Sequence, residues 1–153
     1  MPDDIPALPG TYLLVFTATA KLSITVGRLG RLELVPGCYI YIGSAFGPGG
    51  LRARVKHHCA ISHRPHWHLD YVRPQLCLQQ VWYSIATHRL EHAWAESMYY
   101  TMQMQIPLPG LGASDCQCHT HFYYTAERPD NKILHNALNG IKNTTALEMI
   151  KFQ

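Results

Sequence analysis

A run of apolar and aromatic residues, Cys38-Tyr39-Ile40-Tyr41-Ile42, leads within a few positions to Gly47-Pro48-Gly49-Gly50, and this pairing leaves the middle of the chain little freedom. The run has turn-forming residues at both ends and reads as a buried strand. The glycines and proline cannot propagate regular structure, so an elbow separates that strand from a helix starting near Leu51. On that helix Leu51, Val55 and Cys59 form one apolar stripe, and Arg54 and His58 lie four apart at its edge. A guanidinium beside an imidazole where a helix meets a sheet suits chemistry on an anion. The amides of the elbow, at Gly49 and Gly50, are a candidate phosphate cradle.

The flanking sequence supplies partners for this unit. Gly10-Thr11-Tyr12 opens the run TYLLVF, whose Tyr12, Leu14 and Phe16 share one face, as expected of a central strand. Lys21 to Val35 reads as two short strands around Gly27-Arg28-Leu29-Gly30, an inserted hairpin with Arg28 and Arg31 near its tip. Between Pro65 and Arg73 a short helix is expected, because Pro65 suits a first helical position and Pro74 stops the turn. A strand there would instead set His66, His68 and Asp70 on one face. Gln80 to Thr87 reads as another strand, and His88 to Gln105, free of Gly and Pro, as one long helix. The loop GLGASDCQCHTH, the aromatic strand HFYYTA and short helices from about Asn131 complete the chain.

With 153 residues and 47% hydrophobic content the chain can bury a core of its own, and a single domain over 1–153 is expected, its core over about 10–125 and a helical extension over about 130–151. No apolar run approaches the roughly 20 residues of a membrane-spanning helix. Acids stand where a secretory signal would carry cations, and five cysteines lack a regular framework, so a cytoplasmic protein with reduced thiols is the expectation. The net charge is only +3, yet Lys21 to Arg89 holds nine Lys/Arg against two acids. A basic middle suits a polyanionic partner such as nucleic acid, for which Arg28, Arg31, Gly49, Gly50, Arg52, Lys56, His66 and His68 are candidate contacts.

The combination of GTY near the start, YIGSA, an Arg and a His four apart on the following helix, and a Glu on a later helix resembles the GIY-YIG endonuclease superfamily. HWHLDY and SDCQCHTH look like a small, stand-alone branch of it. The resemblance runs from Gly10 to about Thr125 and implies an α+β fold, a small central antiparallel sheet flanked by helices. The long spacing between the two tyrosine motifs requires the inserted hairpin. It implies hydrolysis of phosphodiesters in nucleic acid, DNA in repair or processing first among them, with one Mg²⁺ or Mn²⁺. Carried over by position, the site residues are Tyr12, Tyr41, Arg54, His58 and Glu91, with Glu91 as metal ligand. Tyr12 is assigned as base, Tyr41 as the group orienting water or phosphate and His58 as relay or phosphate contact.

Those roles have a physical basis. Attack on a phosphodiester builds charge on its non-bridging oxygens, which a planar guanidinium meets with two hydrogen bonds. A hard cation takes one or two carboxylates, with water and phosphate completing its shell. A tyrosine base needs help, because only roughly one phenol in a thousand is ionised at neutral pH. A second group, Asp70, Asp115, Cys116, Cys118 and His121, forms another candidate site. Its Cys-x-Cys spacing is not that of a zinc knuckle and no second pair is evident, so zinc is not the ion expected. Two other classes stand beside the nuclease: a nucleic-acid-binding accessory domain with weak catalysis, and a zinc-stabilised interaction module.

Overall fold

The computed structural model describes residues 2–113 and 117–152. Its centre is strand β1 (Gly10–Ala18), every residue of which except Thr17 is buried. Side chains alternate across a strand, so Tyr12, Leu14 and Phe16 enter one core and Leu13 and Val15 the other. A strand covered on both faces reads as a continuous apolar run, as TYLLVF does.

Strand β1 is flanked by β4 (Gly37–Ala45) and β5 (Cys77–Ile85). With β6 (Phe122–Thr125) and β7 (Glu148–Lys151) they form a five-stranded sheet in the order β6-β4-β1-β5-β7, antiparallel throughout. The expected hairpin is present between β1 and β4: β2 (Leu22–Val26) and β3 (Gly30–Leu34) pair only with each other. On the Tyr12 face lie helix α1 (Gly50–Cys59), the short α2 (His68–Val72) and the hairpin, through Leu51, Val55, Leu69, Val72 and Leu32. On the other face lie α3 (Glu91–Glu96) and α4 (Asn131–Asn139), through Trp94, Leu134 and Leu138. The fold is therefore α+β, a small antiparallel sheet flanked by helices. No described helix is long and apolar enough to cross a membrane.

Three elements differ from the sequence reading. The helix expected over His88 to Gln105 is α3 followed by a π turn, Ser97–Thr101, in which the Met102 amide reaches back to the Ser97 carbonyl at 2.9 Å. The chain must leave the helix there because Gln105 and Tyr124 exchange two backbone hydrogen bonds, each 2.9 Å, alongside β6. Strand β5 starts at Cys77 rather than Gln80, since β1 offers partners as far as Thr17. The extension after residue 130 is not wholly helical: β7 closes the sheet by pairing Lys151 with Gln80 and Glu148 with Tyr83.

The ends of α1 are held by distant groups. At its start, the Leu51 and Arg52 amides donate to the carbonyls of Leu8 and Pro6, at 2.9 and 3.2 Å. At its end, the buried guanidinium of Arg73 donates to the carbonyls of His58 and Cys59 and, at 2.7 Å, of Leu76. One side chain thus satisfies carbonyls that a helix terminus leaves without partners. Arg73→Met, which keeps the aliphatic stem, is expected to lower the free energy of unfolding by about 2–4 kcal/mol, read as a lower urea midpoint.

Candidate active site

Thr11 and Tyr12 do different work from adjacent positions of β1. The Thr11 hydroxyl accepts the Leu90 amide at 3.2 Å, which fixes where α3 begins. Tyr12 points to the opposite face, and its hydroxyl lies 2.9 Å from His58 Nε2. Gly43 of β4 stands directly across from Tyr12, and a Cβ there would fall 2.4 Å from the Tyr12 hydroxyl oxygen. The YIG glycine is thus the space that the first tyrosine occupies. Tyr41, two residues earlier on β4, packs its ring 5.5 Å from that of His58 and 6.4 Å from that of Tyr12.

In front of this layer opens a cleft of about 480 Å³ lined by Tyr41, Arg54, Trp67, Arg89, Glu91 and His121, among others. Arg54 lies over the Trp67 ring at 4.3 Å and donates to the Ser44 carbonyl at 3.2 Å, so its guanidinium is held on both sides. Glu91, 14% exposed, sits between Arg89 at 3.8 Å and His121 Nδ1 at 3.7 Å. Both separations exceed a hydrogen bond, so the carboxylate oxygens remain able to take a ligand. Arg54 and Glu91, from opposite faces of the sheet, reach the same opening.

Burial dominates the electrostatics. It raises the Tyr12 phenol well above its ordinary value; Tyr41 adds to the rise, and Arg54 offsets it only in part. Tyr41 is raised as well, first by burial, again against Arg54. His58 is pulled down to about 3 by burial and by His57, so it is neutral at physiological pH. Burial alone would raise Asp70, but hydrogen bonds from the Trp67 and His66 amides and from His57 outweigh it and lower its carboxyl.

Of the residues singled out from the sequence, Tyr41, Arg54, Glu91 and His121 line the cleft, while Tyr12 and His58 are buried in the layer behind it. Tyr12 has no exposed surface, so of the two phenols it is Tyr41 that reaches the opening. The remainder are placed elsewhere. Arg28 and Arg31 are exposed on the hairpin, and Lys56 is exposed on α1, none of them in the cleft wall. Arg52 donates through Nε to the Ile5 carbonyl at 2.8 Å. Gly49 and Gly50 have φ of 83° and 58°, and a Cβ on Gly50 would meet the Leu8 backbone at 2.5 Å, so chain geometry accounts for both. The amides of Gly50, Leu51, Arg52 and Ala53 all bond carbonyls of this chain, so these four are not free to cradle a phosphate.

The helix reading of residues 65–73 holds, though α2 begins at His68, and His66, His68 and Asp70 do not form one functional face. His66 is exposed with its ring against Trp67, and His68 Nδ1 accepts the Gly112 amide at 3.0 Å. Asp70 is buried and occupied by two amides and His57, so it ties α2 to α1 and makes no contact with the cleft. Cys118 and His121 meet His92, whose Nδ1 lies 3.3 Å from Cys118 Sγ. Asp115 and Cys116 lie outside the described residues. Sequence reasoning passed over Ser44, Trp67, Arg89 and His92 as cleft residues. Trp67 and His92 adjoin residues it did single out, Arg89 lies two before Glu91 and Ser44 lies within YIGSA, and that proximity was the available signal.

An α+β protein with a polar cleft where the YIGSA strand meets the helices bearing Arg54 and Glu91 is the class that fold and site define. Residues 11–143 match the family described as Domain of unknown function DUF123, and the chain belongs to that family. No curated protein and no solved structure matches it.

The neutral buried His58 has a measurable consequence. Its folded pKa, about 3, lies below its ordinary 6.5, so between those values the unfolded chain binds more protons and stability falls as pH falls. From about pH 7 to about pH 5 this term is worth about 2 kcal/mol. Asp70, held below its ordinary carboxyl value, adds stability that is lost only at still lower pH. His58→Gln should shrink the difference in unfolding free energy between those two pH values, measured by urea titration at each.

Proposed function

We propose that this chain hydrolyses phosphodiester bonds in nucleic acid, DNA in the first instance, in the manner of the GIY-YIG endonucleases that its motifs resemble. The observation that carries the reading is that Arg54, Glu91 and Tyr41, from three separate elements, line one cleft. That is the minimum such a reaction needs: a fixed cation for the phosphoryl oxygens, a carboxylate for a divalent ion and a hydroxyl for water. Glu91 suits Mg²⁺ or Mn²⁺ because it is the one carboxylate among the described lining residues and its contacts leave its oxygens available. Such an ion, when bound, stabilises the leaving oxygen and favours the ionised form of a neighbouring phenol.

The chain's own groups then divide the work. Arg54, pre-set by Trp67 and Ser44, meets the charge that grows on the non-bridging oxygens. Arg89, 61% exposed at the rim, contacts the flanking phosphate. Tyr41 acts as the base toward the attacking water, taking the place first given to Tyr12, because a base must come within hydrogen-bond reach of its proton. Among the described residues His58 Nδ1 has no hydrogen-bond partner, and a buried N–H without one is rarer than a bare acceptor. We therefore assign the ring proton to Nε2, donating to the Tyr12 oxygen. Tyr12 and His58 then act as positioning residues behind Tyr41.

Incubation of the purified chain with branched, nicked and single-stranded DNA plus Mg²⁺ or Mn²⁺ tests this. Ion-dependent cleavage is expected, with Arg54→Ala and Glu91→Ala each slower by about 100- to 1,000-fold. Cleavage that survives both substitutions belongs to a contaminant. The reading of a binding domain with little turnover has one observation in its favour, the burial that disfavours ionisation of both phenols. Salt-sensitive DNA binding without cleavage under any of these conditions would select it.

A further inference from the structure

Beside Glu91 stands a donor set of a different character. His92 follows it on α3, and Cys118 and His121 come from the segment entering β6. One donor atom from each lies within 4.8 Å of the other two, and His92 Nδ1 is 3.3 Å from Cys118 Sγ. Zinc bound tetrahedrally, with its usual bond lengths to sulfur and nitrogen, places those two atoms about 3.5 Å apart. The cluster is also anchored by its backbone. The His121 carbonyl accepts the Ile42 amide of β4 at 2.9 Å, and the His121 amide donates to the Leu111 carbonyl at 2.8 Å. The Thr120 hydroxyl, one residue earlier, is buried among the carbonyls of Leu108, Leu111 and Phe122.

We infer that His92, Cys118 and His121 bind one zinc-class transition-metal ion in the cleft wall, its fourth position open to the cleft. Two imidazoles and a thiolate are borderline-soft donors that suit zinc, whereas Mg²⁺ takes oxygen. Three protein ligands with one open position is the pattern of zinc that meets substrate or water, because purely structural zinc is closed by four. On binding, the Cys118 thiol gives its proton to solvent and the thiolate sulfur bonds the metal. Spacing within SDCQCHTH does not reveal the site because the third ligand comes from α3. The ion would join α3 to the lead-in of β6 next to Glu91. The inference is independent of phosphodiester hydrolysis, since no nucleic acid enters its test.

The test is Co²⁺ titration of the full, chelator-treated chain, with zinc competition and metal analysis of the dialysed protein. A thiolate-to-cobalt charge-transfer band saturating at one equivalent is expected, with displacement by zinc and one zinc retained per chain. Cys118→Ser should abolish the band, and His92→Ala, at a half-buried helix start, should weaken cobalt binding by at least about 10-fold. Cys77→Ser, which removes an exposed thiol at the start of β5, should leave the spectrum unchanged. Absence of the band in the folded wild-type chain, its survival in Cys118→Ser, or its loss in Cys77→Ser overturns the inference. Wild-type titration requires no variant to fold. Cleavage of DNA by a chain that binds no zinc would remove this site and leave the hydrolytic reading standing; one zinc per chain without cleavage would do the reverse.

Discussion

The hydrogen bond between Tyr12 and His58 is the contact on which the cleft depends. It joins the central strand to α1 between two buried side chains, where a polar group left unpaired costs roughly 1–3 kcal/mol. That penalty sets the helix at one rotation about its axis. Arg54 lies one turn earlier on the same helix, so the bond that satisfies His58 also aims the guanidinium past Trp67 into the opening. Gly43 makes the bond geometrically feasible, since any side chain there would occupy the position of the Tyr12 hydroxyl.

Charge is distributed around this pair with some economy. His58 is neutral, Asp70 is matched against His57, and Arg73 is spent on helix carbonyls, so none of them adds a free charge to the opening. The cations that face the cleft are Arg54 and Arg89, with Glu91 opposite. An anion held there, as the proposed hydrolysis requires, would meet two guanidiniums beside the aromatic rings of Tyr41 and Trp67. Arg54, half-buried against Trp67, would act there in a less polar setting than water, whereas Arg89 is exposed at the rim.

Much of the frame could be read in the sequence, for reasons of period and punctuation. The alternation of Tyr12, Leu14 and Phe16 marks a strand covered on both sides, and Gly27 to Gly30 marks the hairpin tip. The glycine elbow separates β4 from α1. What escaped depended on partners distant in the chain. Residues 148–151 have no strong strand signal and become a strand because the edge of β5 needs partners. The π turn follows from the pairing of Gln105 with Tyr124, which no local pattern announces. Asp70 stood among the candidate site residues because its amide donors are a property of the turn at His66 and Trp67, which the sequence does not announce. The same limit applied to the site: Tyr41, Arg54 and Glu91 were nameable by motif, whereas the depth that separates Tyr41 from Tyr12 and the approach of His92 to Cys118 are properties of packing alone.

The way α1 begins bears on where this folding unit can be cut. Its opening amides are answered by the Pro6 and Leu8 carbonyls, and Arg52 by that of Ile5, all upstream of the span that matches the family. The last strand, 148–151, lies downstream of that span. A recombinant fragment trimmed to residues 11–143 would thus discard both the strap on the helix bearing Arg54 and the strand that shields one border of the sheet. The boundary of family likeness is narrower than the span of residues that brace the helix and the sheet.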